Sequence, residues 1–203
     1  AGLACAAGLL RNGHTVDLYD IGDKLGGLLA TAIPDRRLRT DECEAEIKAL
    51  FANVLGSCLV FHPGEGLEPG RDLDYFVKNH DAVFLGIGLA ASHPLTEPQP
   101  LGVEDAVTFL KRCKLGERHV PRRVAVLGGG NTAVDAAVEA VLCGAQDVYL
   151  VYRRSFAEMP AWPMVRAEAQ DLGVQFMLLT QPLGYDAGPD GRLRGVWVAR
   201  TKL

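Results

Sequence analysis

The chain has no run of eighteen or more apolar residues, so it offers no membrane-spanning helix. It also has no strong excess of one charge. Its 21 Lys+Arg against 25 Asp+Glu give a formal net charge of −4 and a pI of about 5.7. A mildly acidic chain lacks the electrostatic footprint of a nucleic-acid binder. Cysteine is sparse and scattered: Cys5, Cys43, Cys58, Cys113 and Cys143 are odd in number and never spaced C-x-x-C. That excludes a disulfide scaffold, a zinc ribbon and an iron–sulfur run, and leaves reduced, buried thiols in a cytoplasmic protein. The histidines (His14, His62, His80, His93, His119) form no H-x-x-x-H pair, so they argue for no metal site. There is no G-x-S-x-G, and with it no serine-hydrolase elbow.

Glycine is what the chain has in excess, 23 of 203 residues. With 48% hydrophobic and 23% charged residues, the rest is an ordinary globular composition. Leu3, Ala6, Ala7 and Leu10 share one helical face ahead of a cap at Asn12 and Gly13, which predicts a helix over 1–11. The strand and turn expected to precede that helix are not in the sequence, and the last residues, 195–203, read as an alternating strand that stops. Both ends therefore read as cuts through a longer protein.

Between these ends the pattern alternates. A strand is expected at Thr15–Asp20, a glycine loop at Gly22–Leu28, and an amphipathic helix at Asp41–Leu55. Ala82–Leu85 reads as a strand buried on both faces, running into Gly86 and Gly88. Pro94, Pro98 and Pro100 mark a crossover linker over 92–103. A helix from Val103 to about Gly116 follows, then a strand (Val124–Leu127), a helix (Thr132–Cys143), a strand (Asp147–Tyr152), a helix (Ala161–Leu172) and a strand (Val174–Leu179). Pro189–Gly191 is a hairpin turn. The sequence helix, glycine cap, strand, loop occurs twice, over 1–20 and 131–154. A repeat of βαβ type implies two nucleotide-sized sites.

The second copy carries G-x-G-x-x-A after its strand: Gly128, Gly130 and Ala133, with Gly129, Asn131 and Thr132 between them. The first glycine permits a tight turn, the second lets backbone N–H groups approach a pyrophosphate, and the alanine lets the helix pack close to the sheet. The helix N-terminus then offers unpaired donors and partial positive charge. The next strand ends in Arg153 and Arg154. Guanidinium groups there suit a 2′-phosphate, which a carboxylate would repel, so NADP(H) is expected rather than NAD(H). In the first copy Gly2 stands where the third glycine would be. Asp20, closing the following strand, suits a ribose without a 2′-phosphate, as in FAD.

Together with Leu25–Leu28, Ile33, Pro34, Arg37, Leu38 and Met159–Ala161, these motifs resemble one family. It is the FAD- and NADPH-dependent small subunit of glutamate synthase, with the matching amino-terminal portion of dihydropyrimidine dehydrogenase and their relatives. The resemblance covers nearly the whole chain. It implies an α/β fold of two Rossmann-like βαβ dinucleotide-binding domains, the NADP domain inserted into a truncated FAD domain. The implied boundaries are 1–95 (FAD), 96–185 (NADP) and 186–203 (start of the return to the FAD domain). It also implies electron flow from NADPH to FAD, and on to iron–sulfur clusters and an electron-accepting partner subunit or domain, the clusters lying in missing segments or the partner. By motif, Ala1 and Gly2 would lie by the FAD pyrophosphate and Asp20 on its ribose. Gly26, Gly27 and Leu28 would line the flavin side, and Arg37 would also contact FAD. Gly129, Gly130, Asn131 and Thr132 would cradle the NADPH phosphates. The family's first glycine turn, its cysteine-rich cluster domain and the return of its FAD domain are absent from these residues.

Flavin and nicotinamide carry the hydride chemistry themselves once stacked at roughly 3–3.5 Å, so no catalytic side chain is expected. The loop from Gly26 to Pro34 has no cysteine, which disfavours a disulfide-reductase activity. A dihydropyrimidine dehydrogenase-type electron-input module, a single-cofactor NADP dehydrogenase, and a nucleotide-binding lobe without activity of its own stand as alternatives.

Overall fold

The computed structural model describes residues 1–52, 58–88 and 94–203. The chain divides into two compact units, Ala1–Ala91 and Ser92–Leu203.

In the first unit α1 (Gly2–Arg11) buries Ala6, Ala7 and Leu10, the expected face, and ends at Asn12 ahead of Gly13. It leads into β1 (Val16–Asp20), then a glycine loop and the short α2 (Leu28–Thr31). Next come α3 (Thr40–Phe51), β2 (Leu59–Pro63) and α4 (Leu73–Asn79). β1 and β2 pair in parallel from Val16 opposite Leu59 to Asp20 opposite Pro63. The distal part of the helix expected over Asp41–Leu55 falls partly on 53–57, outside the described residues. Tyr19 stacks on His62, with ring centres 4.2 Å apart, and meets the buried Phe76 edge-on at 4.9 Å.

One expectation fails here. Ala82–Leu85 forms no strand, and 81–88 are exposed throughout, with Phe84 57% and Leu85 50% accessible. A strand exists only where a neighbour completes its ladder. Among the described residues none pairs with this run, so its apolar side chains stay in solvent.

In the second unit α5 (Ala106–Lys114) is capped by Asp105, whose Oδ1 accepts from the Val107 and Thr108 N–H groups at 2.9 and 3.1 Å. β3 (Arg123–Leu127), α6 (Asn131–Leu142), β4 (Asp147–Val151), α7 (Pro163–Asp171) and β5 (Gln175–Met177) follow. The sheet is parallel in the order β3-β4-β5, with α6 connecting the first two strands and α7 the next. Its core is Val134, Ala137, Val138 and Ala140 of α6 with Val148 and Leu150 of β4, closed by Met159, Ala161, Val165 and Ala169. An antiparallel hairpin, β6 (Thr180–Ala187) and β7 (Leu193–Arg200), turns through 188–192 as the sequence predicts.

Candidate functional site

Strand β3 delivers the chain into Gly128 at φ 144°, a backbone conformation that a side chain strains. A Cβ there would also sit 3.1 Å from the Ala133 Cβ, so glycine and alanine together let α6 close onto the turn. Gly129 faces the Tyr152 ring, which a Cβ would meet at 2.5 Å. Gly130, the N-cap residue of α6, is different: a Cβ there would meet nothing within 4 Å. The packing gives no reason for glycine at 130; the open space in front of it does.

No side chain caps α6 and its first turn holds no acid. Among the described residues, the amides of Asn131, Thr132 and Ala133 therefore find no acceptor. They are donors with nothing to donate to, at the positive end of a twelve-residue helix. Asn131 is half-buried and its Oδ1 accepts from the Trp162 N–H at 3.0 Å. Arg153 and Arg154 follow β4 after Tyr152 and are exposed. Neither forms an ion pair within 4.0 Å among the described residues. Their backbone is fixed instead, the Arg153 carbonyl accepting from Thr201 Oγ1 at 2.6 Å and the Arg154 carbonyl from Leu179 N–H at 3.1 Å. The turn beyond them is closed by Ser155, whose hydroxyl donates to Glu158 at 2.7 Å. That bond is the main reason the Glu158 carboxyl lies below the usual carboxylate range.

In the first unit Ala1 is the N-cap residue of α1, which no side chain caps, and Gly2 opens the helix. Residues that the sequence reading did not assign to the site meet it here. A Cβ on Gly86 would lie 2.9 Å from the Gly2 Cα and 3.0 Å from its nitrogen, so two backbones touch beside the uncapped amides. The signal was the pair of glycines at 86 and 88. Asp20 closes β1, with Oδ1 accepting from the Gly22 N–H at 2.8 Å. Its other oxygen has no partner among the described residues, which suits a ribose hydroxyl. Gly26 has a packing duty, because a Cβ would strike Ala30 at 2.7 Å and Ile47 at 3.0 Å. Gly27 precedes α2 and Leu28 opens it, 38% exposed. Arg37 is half-buried on a turn, its N–H donating to the Pro34 carbonyl at 2.9 Å.

Residues 1–199 match the family described as pyridine nucleotide-disulphide oxidoreductase. The chain belongs to that family. Members bind FAD and NADP(H). Both cradles fit such groups: among the described residues the first helix amides in each have no acceptor, a carboxylate in one keeps a spare acceptor oxygen, and two guanidinium groups in the other form no ion pair within 4.0 Å. The chain is 36% identical to the glutamate synthase [NADPH] small chain of Escherichia coli, over 100% of its own length and 45% of that protein's. It is 35% identical to the NADP(+)-dependent formate dehydrogenase subunit beta of Moorella thermoacetica, covering 29% of it. It thus spans less than half the length of these curated relatives. Among solved structures, FprA from Mycobacterium tuberculosis in complex with NADPH superimposes with a TM-score of 0.71 at 15% identity, over 99% of this chain and 66% of that one. Thioredoxin reductase of T. acidophilum does so at 0.61 and 17% identity, over 98% and 67%. These neighbours show the family's α/β, Rossmann-like fold. Among the described residues no helix is long and apolar enough to cross a membrane, and no group of three potential ligands could hold a metal.

Proposed function

We propose that this chain is the cofactor-binding portion of an oxidoreductase that passes electrons from NADPH to FAD and on to an iron–sulfur-bearing partner subunit or domain, in the manner of a glutamate synthase small subunit. The observation that carries the reading is the contrast in charge at two equivalent places. A carboxylate, Asp20, ends the strand after the first uncapped helix, and two guanidinium groups, Arg153 and Arg154, stand just past the strand after the second. Relatives named for NADPH and NADP(+), and named as a chain or subunit of a larger enzyme, support the choice of nucleotide and the partner. The proposed domains are 1–95 for FAD, 96–185 for NADP(H) and 186–203 for the return toward the FAD domain.

When bound, nicotinamide and flavin supply hydride transfer. The chain's own residues bind and orient. The amides of Asn131, Thr132 and Ala133 donate to the NADP(H) diphosphate across Gly129 and Gly130, and Arg153 and Arg154 hold the 2′-phosphate. The amides after Ala1, beside Gly2, face the FAD diphosphate. Asp20 accepts from the adenosine ribose, while Gly26, Gly27, Leu28 and Arg37 border the flavin side. No side chain is required to carry a proton. Iron–sulfur clusters are held outside these 203 residues, whose five cysteines are dispersed.

Titration of the chain with NADPH and NADH tests this. Replacing Arg153 and Arg154 by Ala should raise the NADPH Kd by about 10–100-fold, the loss of charge-assisted bonds, and leave NADH unchanged. Equal affinity of the unaltered chain for both nucleotides would remove the basis of the assignment.

A further inference from the structure

The two arginines past β4 stand on a backbone that is held at every residue. Three consecutive carbonyls each accept a hydrogen bond. The Tyr152 carbonyl accepts from the Thr180 N–H at 3.0 Å, that of Arg153 from the Thr201 hydroxyl at 2.6 Å, and that of Arg154 from the Leu179 N–H at 3.1 Å. The Gly128 N–H donates to the Val151 carbonyl at 3.0 Å, which ties the glycine turn to the same stretch. The ladder of β4 with β5 has its last pair at Val151 and Met177. The bonds to 152–154 therefore lie beyond the sheet, where only the two arginines and their neighbours gain from them.

The donors are fixed in their turn. The Thr201 N–H donates to the Leu179 carbonyl at 2.8 Å. Arg200 Nη1 and the Thr180 hydroxyl both donate to the Leu178 carbonyl, at 3.0 and 2.9 Å. Leu179 stands at φ 50°, the one positive φ outside glycine among the described residues. A side chain as bulky as leucine's adopts that conformation at a cost, so the bonds around it must hold it there. In this conformation the Leu179 N–H meets Arg154 while its carbonyl meets Thr201. Thr201 itself comes from the residue after β7, 48 positions from Arg153. Holding a backbone in one place before a ligand arrives lowers the ordering cost of the side chains it carries.

We propose that Thr201 and Leu179 are positioning residues for the choice of nucleotide: they aim Arg153 and Arg154 at the 2′-phosphate without touching it. This deepens the reading of the second cradle as the NADP(H) site and rests on it. The helix amides meet a diphosphate that NADPH and NADH share, whereas the two arginines meet a group that only NADPH carries. A loosened arginine stretch therefore costs affinity for NADPH above all. Of the three bonds to the carbonyls of 152–154, the one from Thr201 is made by a side chain, so substitution can remove it and leave the backbone donors in place.

The test titrates the chain and its variants with NADPH and with NADH. Thr201→Val and Thr201→Ala both lose the hydroxyl. Each should raise the Kd for NADPH by about three- to tenfold, the worth of one hydrogen bond, and lower the preference for NADPH over NADH by the same factor. Thr201→Ser keeps the donor and should restore that preference. In a chain already carrying Arg153→Ala and Arg154→Ala, adding Thr201→Val should raise the NADPH Kd no further, because the groups it positions are gone. A purely structural role predicts otherwise: both Kd values rise together, and the effect persists without the arginines. Either result, or an unchanged preference in Thr201→Val and Thr201→Ala, overturns the inference and leaves the cradle reading intact. If the unaltered chain does not prefer NADPH, the reading of Arg153 and Arg154 falls first, and this inference with it.

Discussion

Cys113 and Cys143 show what a single side chain's surroundings do to its chemistry. Their sulfurs lie 3.7 Å apart, joining the end of α5 to the end of α6. Burial, then the hydrogen bond with Cys143, pushes the Cys113 thiol from 9.0 up to about 12. A thiolate is the reactive form, so Cys113 should resist iodoacetamide at pH 8 in the native chain and react once the chain is denatured, read by mass spectrometry. Labelling of native Cys113 as fast as a free thiol would contradict its burial. The same shift has a consequence for stability. Below pH 9 the thiol is protonated in folded and unfolded chains alike, and its contribution is fully present. Between pH 9 and 12 only the unfolded chain ionises, so stability falls as pH rises through that window. Cys113→Ala should flatten this alkaline limb of a urea-denaturation series. Glu158 runs the other way, since its lowered carboxyl contributes above the usual carboxylate range and loses that contribution as pH falls.

Strand β3, the glycine turn and helix α6 act as one element, and its glycines are not equivalent. Gly129→Ala puts a methyl into the Tyr152 ring and should cost about 1–3 kcal/mol in denaturant unfolding, the usual range for overpacking. Gly130→Ala meets no atom, so the fold should keep its stability while nucleotide affinity drops. A result with the two effects exchanged would mean that the space before Gly130 is not a cradle. Sequence spacing sees three adjacent glycines there and cannot separate them. What each one faces depends on Tyr152 and Ala133, brought in by β4 and α6. The same holds for short elements. The seven residues of α4 are too few for a helical period to show, and its N-cap is visible only as Asp72 accepting from the Tyr75 N–H. β2 ends in His62 and Pro63, an unpromising strand until β1 pairs with it.

At the scale of the whole molecule each unit buries apolar residues of its own, Ala6, Ala7, Leu10 and Phe76 in the first and the cluster on α6 and β4 in the second. A ligand stabilises what it binds by mass action, about 2.7 kcal/mol at a hundred times its Kd. NADPH should therefore slow amide hydrogen exchange in residues of α6 and β4, and leave α1, β1 and β2 unchanged. Protection that spread evenly over both units would argue against a site confined to the second.

The alternation of strands and helices from α5 to β5, the glycine turn at 128–130 and the opposite charges at Asp20 and Arg153 were legible in the residues alone, because local periodicity, turn chemistry and charge need no distant partner. The run at Ala82–Leu85 was not. Its composition suits a buried strand, but burial and pairing are properties of neighbours, and among the described residues none pairs with it. Tertiary structure likewise decided that Gly86 touches Gly2, that Cys113 meets Cys143, and that Asn131 holds Trp162. Each joins residues far apart along the chain, and only the folding of intervening elements brings them within a few ångströms.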